Sequence, residues 1–240
     1  MKRKKTLTIE KHIKELRNRL LLCIIFFIVS FVVCFHFSRQ ILSNVLLIGK
    51  NISPGYQLAY LYPQELFLQY LTVSAVCAIA ITFPVVLLEI VIYVFPALKL
   101  KEKISASVYL IAGISLFGLG LYFGLKVMIP FILKYFSDLN QSSGLQSSIS
   151  VEKYVSLIQE LLISFAGVFE IPIISVILTK IGILTPERMK VIRPVVIIVI
   201  FIIAAIITPP DVVSQCMIGI PMTLLYELSI VLSKIIVKRR

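Results

Sequence analysis

Several residue types are scarce in this 240-residue chain. It contains no tryptophan, two histidines and four cysteines, and only 12 acidic residues stand against 24 Lys and Arg. The cysteines form no C-x-x-C pair and the histidines form no H-E-x-x-H motif, so zinc sites, metalloprotease chemistry and disulfides are not expected. A G-x-x-x-x-G-K-[ST] loop for ATP is also missing. We therefore expect no metal, no cofactor and no enzymatic activity.

Aspartate is equally scarce. Asp138 and Asp211 are the two in the chain, and both fall in predicted loops, so the sequence lacks the paired intramembrane aspartates of an intramembrane enzyme. The scarcity of acids leaves a net charge of +12. In a soluble protein this excess would suggest nucleic acid as a partner. No RNA- or DNA-binding motif is present, and no nucleic acid is expected.

Polar residues are too few to cover a soluble domain of this length. The chain is 59% hydrophobic and has a mean hydropathy of +1.00. Its apolar runs are long and lack the period-two alternation of a membrane β-barrel. The predicted class is an all-α polytopic membrane protein, a single integral domain over 1–240 with the lipid bilayer around it.

Six apolar segments predict six transmembrane helices. A span needs about 20 apolar residues. The fifth is the shortest, since its residues would form a helix of only ~20 Å. The first is too long for a signal peptide and lacks a cleavage-site pattern, so we read it as a retained span. The predicted spans are 20–37, 66–94, 104–133, 154–181, 195–207 and 212–232.

The distribution of Lys and Arg predicts the orientation. Nineteen fall before span one, after spans two and four, or after span six, whereas four fall in the intervening loops. Cytoplasmic loops collect Lys and Arg. Both termini are therefore predicted in the cytoplasm, which requires an even number of spans and supports the short fifth segment.

The segment before span one, TLTIEKHIKELRNRLL, is amphipathic. Ile9, Ile13, Leu16 and Leu20 form one helical stripe, so we predict that residues 1–19 form a helix on the cytoplasmic surface before the chain turns into the bilayer. Its Glu15 and Arg19 stand four residues apart in the favourable acid-first order. A local ion pair is the simplest role for Glu15.

Two other acids have simple explanations. Glu102 is the single acid in a lysine-rich cytoplasmic loop, where a local salt bridge would explain it; this loop follows Pro96, which is predicted to end span two. Pro209 and Pro210 are predicted to stop span five. Asp211 then stands at the start of span six, where a carboxylate caps free N–H groups and meets the positive end of the helix dipole.

Glu170 is the acid furthest from both ends of its apolar segment. Glu89, Glu160 and Glu227 also lie within apolar runs, but each is nearer a segment end. An intramembrane acid is a functional candidate by default. The alternative is a buried acid hydrogen-bonded to a neighbouring helix.

Seven short motifs in sequence order carry a resemblance. They are H-x-x-E-L-R-x-R (His12 to Arg19), P-A-L-x-x-x-E (Pro96 to Glu102), F-E-x-P (Phe169 to Pro172), T-P-x₆-R-P (Thr185 to Pro194), T-P-P-D-x-x-S-Q (Thr208 to Gln215), I-P (Ile220, Pro221) and Y-E (Tyr226, Glu227). With six spans and both termini inside, this pattern resembles the TatC family, the six-span core subunit of the twin-arginine protein translocase. The match covers nearly the whole chain.

The resemblance implies a receptor for twin-arginine signal peptides of folded export substrates. The family's signal-peptide contact matches Glu15 and Glu102, with Arg17 and Arg19 in the same motif as Glu15. The resemblance further implies a functional intramembrane acid at Glu170, and contacts with single-span TatA- and TatB-like partners near Thr208 and Gln215. Self-association, export driven by the proton gradient, and a bacterial-type cytoplasmic membrane or an organelle membrane of bacterial origin are implied as well.

A proton-coupled secondary transporter is the alternative function. Such a protein would also bury acids, and Glu170 with Glu160 would form its relay. It should then show internal repeats or paired broken helices, and the sequence shows neither.

Overall fold

The computed structural model describes residues 2–52, 57–94, 100–143, 148–207 and 211–238, with the backbone alone for 2–12, 52, 57, 94, 100–103, 140–143, 148, 236 and 238. Within these ranges the helices are α1 Lys2–His36, α2 Ser38–Ile52, α3 Glu65–Val94, α4 Leu100–Phe123, α5 Ile129–Ser143, α6 Val151–Phe169, α7 Ile171–Ile181, α8 Pro186–Ile207 and α9 Val212–Lys238. A π-helical segment, Gly124–Met128, joins α4 to α5, and the strands are β1 Gln57–Ala59 and β2 Ser148–Ser150.

The prediction of six transmembrane helices is confirmed. The described residues contain six helical segments long and apolar enough to cross a membrane: Ile13–His36, Glu65–Tyr93, Ile104–Leu139, Val151–Ile181, Pro186–Ile207 and Val212–Ile235. Large apolar side chains remain exposed along all of them, for example Ile25, Ile111 and Ile206. Exposed apolar surface on this scale is stable against lipid rather than water.

The first helix differs from the prediction. We expected a surface helix followed by a turn into the bilayer, but α1 runs from Lys2 to His36 without a break. No proline or glycine interrupts this stretch, and continuing a helix satisfies each backbone N–H at less cost than a turn. The amphipathic segment is therefore continuous with span one.

The fifth span is longer than predicted, so the expectation of a ~20 Å helix was wrong. Helix α8 has 22 residues and includes Arg193 and Pro194, at which the prediction had placed the boundary. Arg193 forms an ion pair with Glu227 of α9, which satisfies a charge that would otherwise end an apolar span. A helix of 22 residues reaches about 33 Å, enough to cross the hydrocarbon core without thinning it.

The chain divides into two compact units. The first comprises Met1–Leu42 and Phe67–Ile114, and the second comprises Ser43–Leu66 and Ser115–Arg240. In the first unit, Phe27, Phe31 and Phe35 lie one turn apart on α1, and the Phe35 ring meets the Phe67 ring of α3 edge-on, with centroids 6.4 Å apart. This aromatic contact joins the C-terminal end of α1 to the start of α3.

In the second unit, α9 packs against α7 and α8. Gly219 of α9 allows the contact with α8, because a Cβ at this position would lie 3.0 Å from the Phe201 ring. Gly120 of α4 similarly approaches α6, where an added Cβ would lie 2.7 Å from the backbone oxygen of Phe165. Small residues at helix crossings bring backbones close in membrane bundles.

The segments predicted as external loops contain secondary structure of their own. Helix α2 and strand β1 lie between spans one and two, and β1 pairs in parallel with β2, which precedes α6. The Tyr154 hydroxyl donates a hydrogen bond of 3.0 Å to the backbone oxygen of Val45 in α2. The sequence carried no signal for this pairing, because three-residue strands are too short to show a period of two.

Candidate functional site

Arg19 connects two acids in the first unit. Its Nη2 donates to Glu15 Oε1 at 2.9 Å and its Nε to the same oxygen at 3.3 Å, while its Nη1 donates to Glu89 Oε2 at 2.6 Å. Glu15 and Arg19 share one face of α1, four residues apart, and Glu89 comes from α3. The structure thus brings together two of the predicted signal-peptide residues and adds an acid that the motifs did not include.

An open groove of about 390 Å³ lies along the same face of α1, lined by Lys14, Glu15, Asn18, Arg19 and Leu22. The Glu15 side chain remains 35% exposed there, so its carboxylate is accessible from solvent. Arg17 is exposed on another face of α1. Glu102 lies in the first turn of α4, where its backbone alone is described. Pro96 lies outside the described residues.

Glu170 occupies a break in span four. Helix α6 ends at Phe169 and α7 begins at Ile171, with Pro172 in the first turn of α7. The Glu170 N–H donates to the Gly167 oxygen at 3.1 Å, and its carbonyl accepts from the Ile174 N–H at 3.0 Å. Proline lacks an N–H and favours the first helical turn, which explains why the helix restarts here.

The Glu170 side chain is only 4% exposed. Within the part of the chain that the structure describes, its Oε1 is buried without a hydrogen-bond partner. The adjacent Phe169 contacts the Phe123 ring, with centroids 5.5 Å apart, so the surroundings on that side are apolar. A buried carboxylate oxygen without a partner is costly, and natural proteins keep few of them. The predicted intramembrane acid is therefore buried, with one carboxylate oxygen that no described residue satisfies.

Asp211 lies at the start of α9. The Ser214 N–H donates to Asp211 Oδ2 at 2.8 Å, the Ser214 hydroxyl donates to Oδ1, and the Tyr135 hydroxyl donates to Oδ2 at 3.3 Å. This geometry satisfies one free N–H of the helix and ties α5 to α9. Burial alone would raise the pKa of Asp211, but the hydrogen bonds from Ser214 and Tyr135 outweigh it and hold the pKa below its ordinary value.

We expect Asp211→Ala to lower the free energy of unfolding by about 1 kcal/mol, as loss of an N-cap typically does. Because the pKa is lowered in the folded state, the cap stabilises the fold above the unfolded-state pKa and is lost as the pH falls through the folded-state value. Thermal unfolding of the purified chain in detergent at neutral pH and below pH 4 measures this. An Asp211→Ala difference that grows on acidification would contradict the prediction.

Of the two residues predicted to contact single-span partners, the structure describes Gln215. Gln215 Nε2 donates to the backbone oxygen of Phe201 at 2.8 Å, so this amide joins α9 to α8. The structure therefore uses one amide hydrogen of Gln215 between its own helices and leaves the side chain half-buried. Thr208, Pro209 and Pro210 lie outside the described residues.

Sequence reasoning missed two polar contacts. Glu89 and Glu227 were noted only as acids near the ends of apolar segments, but Glu89 pairs with Arg19 and Glu227 with Arg193. Next to Glu227, the Tyr226 hydroxyl donates to the Met189 backbone oxygen at 2.8 Å, a third polar contact between α9 and α8 after those of Gln215 and Glu227. A signal existed in each case, namely one acid and one arginine near the ends of two apolar segments predicted on the same side of the membrane.

Six helices long and apolar enough to cross a membrane define an integral membrane protein. It carries a charged cluster formed by the middle of α1 and the end of α3, and a buried acid inside span four. A family model described as "Sec-independent protein translocase protein (TatC)" matches residues 11–221. The chain belongs to the TatC family, as the sequence motifs predicted, and is a component of the Sec-independent protein translocase.

Relatives and a solved structure agree with this assignment. The chain is 35% identical to the Sec-independent protein translocase protein TatC of Helicobacter pylori strain J99 over 95% of this chain and 89% of the relative. It is 33% identical to that of Aquifex aeolicus over 96% of each chain. The fold matches a crystal structure described as the twin-arginine translocase receptor TatC with a TM-score of 0.85 and 32% identity, covering 94% of this chain and 99% of the other.

Proposed function

We propose that this chain is the receptor of the translocase and binds the paired arginines of export signal peptides through Glu15 and Glu102. The observation that carries the proposal is that Glu15 already accepts two hydrogen bonds from a guanidinium, that of Arg19, while 35% of its side chain stays exposed. A carboxylate oriented for one guanidinium suits another, because the planar fork pairs with carboxylate in a fixed geometry.

The charge of the chain makes short-range pairing necessary. The proposed cytoplasmic side carries most of the 24 Lys and Arg, and the chain as a whole has a net charge of +12. The long-range field therefore opposes a basic peptide, and affinity depends on direct contacts with acids within a few ångströms. Binding of an Arg-Arg signal peptide to the Glu15→Gln and Glu102→Gln variants tests this proposal, with a Lys-Lys peptide as its control.

The second part of the proposal concerns Glu170. The Glu170 Oε1 lacks a hydrogen-bond partner among the described residues. Glu170 also lies between the end of α6 and the start of α7, where the helix of span four is interrupted. A polar side chain of an incoming single-span helix would satisfy the carboxylate at this break. We propose that TatA- and TatB-like single-span proteins bind here. We also propose that Thr208, just after span five, and Gln215, early in span six, contribute to partner binding.

The proposed membrane is a bacterial-type cytoplasmic membrane, with both termini on the cytoplasmic side and self-association of the chain within the translocase. An organelle membrane of bacterial origin has the same topology. Export of folded proteins would then draw on the proton gradient.

This topology predicts the labelling of single cysteines. In a background in which Cys23, Cys34, Cys77 and Cys216 are replaced, a cysteine at position 143 should react with a membrane-impermeant maleimide added to whole cells. Cysteines at positions 5 and 240 should react only after the membrane is permeabilised. The inverted-membrane preparation serves as the control, since it should reverse both results. Protection of position 143 in whole cells would contradict six spans with internal termini.

A further inference from the structure

Arg19 is shared between two carboxylates. Its Nη1 is 2.6 Å from Glu89 Oε2 and its Nη2 is 2.9 Å from Glu15 Oε1. The three side chains together carry one positive and two negative charges, and Lys14 lines the same groove next to Glu15. A second guanidinium would give each carboxylate its own planar donor, whereas one guanidinium must divide its donors between both acids.

The two acids differ in how open they are. The Glu15 side chain is 35% exposed and lines the groove on α1, while the Glu89 side chain is 14% exposed and lies within span two. A carboxylate in an apolar span is costly without a cation, and Arg19 is the cation that Glu89 contacts. Arg19 is therefore held more firmly by the buried acid than by the exposed one.

We propose that Arg19 is a resident guanidinium that occupies Glu15 until a signal-peptide arginine replaces it, and that Glu89 is the positioning residue that retains Arg19 during this exchange. The inference rests on the proposed function, because it assumes that Glu15 receives a peptide arginine. It extends that function by assigning a role to an acid outside the family motifs.

Each acid keeps a guanidinium partner throughout the exchange. Both bonds from Arg19 to Glu15 end on Oε1. When a peptide guanidinium takes Glu15, Arg19 keeps Glu89 and neither acid is left unpaired, so neither pays the penalty of a bare buried charge. Without Glu89, Glu15 would be the one carboxylate left to Arg19 among the side chains that the structure describes, and an incoming arginine would have to compete for it. Any incoming side chain must also compete with the Arg19 guanidinium for Glu15. A peptide lysine competes less well than a peptide arginine, since an ammonium lacks the planar fork.

The test is binding of a fluorescent Arg-Arg signal peptide to the purified full-length chain in detergent at fixed salt. Glu89→Gln should weaken binding about fivefold, the size of one partly exposed ion pair. Arg19→Gln should not weaken binding, because the competitor is removed. The variant that combines Glu89→Gln with Arg19→Gln should bind the peptide at least as tightly as the unaltered chain. The loss of affinity caused by Glu89→Gln alone should therefore disappear when Arg19 is absent.

Two results would overturn the proposal. If Glu89→Gln weakens binding equally with and without Arg19, then Glu89 contacts the peptide directly. If Glu89→Gln leaves binding unchanged, then the pair is structural only. Should the Arg19→Gln chain not be recovered, Arg19→Met takes its place: methionine keeps an unbranched stem but has neither charge nor donors, so the Glu89→Gln loss should again vanish, and its persistence would count against the exchange.

Glu187→Gln is the matched control, since Glu187 is an exposed acid in the first turn of α8 in the other unit; it should bind like the unaltered chain. Glu15→Gln separates this inference from the proposed function. If Glu15→Gln binds normally, then the proposed function fails. If Glu15→Gln binds weakly and Glu89→Gln binds normally, then only the exchange through Arg19 fails. Melting temperatures measured on the same samples identify any variant whose loss of binding reflects unfolding.

Discussion

Replacing Glu15 by glutamine is expected to weaken binding of an Arg-Arg signal peptide about tenfold or more, and Glu102→Gln is expected to do the same. Loss of a charge-assisted contact costs about 1.5 to 3 kcal/mol, and 1.4 kcal/mol corresponds to a factor of ten in affinity. Glutamine keeps the shape of glutamate and removes its charge, so the change isolates the ion pair. Fluorescence anisotropy with the purified chain, or crosslinking in membranes, measures the effect.

The structure suggests that the Glu15 variant will remain folded. Arg19 keeps its contact with Glu89 Oε2 at 2.6 Å when Glu15 is neutralised, so no charge in the cluster is left without a partner. Glu15 is also the more exposed acid of the two. Its removal should therefore change the melting temperature little, because exposed ion pairs add little to stability.

The control is a peptide whose arginine pair is replaced by two lysines. It should bind weakly to the unaltered chain and change little in either variant, because lysine does not form the bidentate contact. The double variant should lose about a hundredfold if the two acids act independently. Normal binding of the Arg-Arg peptide to the double variant would leave Glu15 and Glu102 with local salt bridges as their sole role.

The second large effect is expected from Glu170→Ala, which should reduce export of a folded twin-arginine substrate to about a tenth or less. A partner helix that satisfies this carboxylate gains a charge-assisted contact, and its loss lowers partner affinity by about tenfold or more. Signal-peptide binding should be unchanged, since Glu170 lies in the second compact unit and Glu15 in the first. Export in cells and co-purification of the single-span partner are the two measurements.

The burial of Glu170 allows a loss of partner binding to be distinguished from a loss of stability. Its Oε1 lacks a hydrogen-bond partner within the described residues, so alanine removes an unsatisfied buried group rather than a satisfied one. Such a change costs little stability and can increase it. A chain that is stably folded, binds signal peptide and fails to export would thus identify a contact with another protein.

Glu160→Ala is the matched control, because Glu160 lies in the same span and is exposed. It should export normally. Glu170→Gln should be milder than Glu170→Ala, since an amide still donates and accepts hydrogen bonds. Normal export by Glu170→Ala would show that Glu170 is a buried acid that the fold tolerates.

The length of α8 bears on the surroundings of Glu170. Its 22 residues match the hydrocarbon thickness, so no thinning of the bilayer that would bring water close to Glu170 is expected. The polar character of the site depends instead on the break between α6 and α7 and on the carboxylate itself.

The sequence alone determined the class of protein, the number of spans and the family. Each depends on local or cumulative properties: apolar runs of about 20 residues must cross a bilayer, and several short motifs in a fixed order are more specific together than singly. The position of Glu170 at a helix interruption was also foreseeable, because Pro172 cannot donate the backbone hydrogen bond that a continuous helix needs.

Only the tertiary structure decided which charges meet. Glu89 is 70 residues from Arg19 in the chain and Glu227 is 34 residues from Arg193, so no sequence period connects either pair. These pairs depend on how one helix lies against another. Gly219 allows α9 to approach α8, where Glu227 meets Arg193, and the Phe35–Phe67 contact joins α1 to α3, where Arg19 meets Glu89. The same packing carried α8 through Arg193 and Pro194, since an ion pair with α9 satisfies a charge that local reasoning places outside the span.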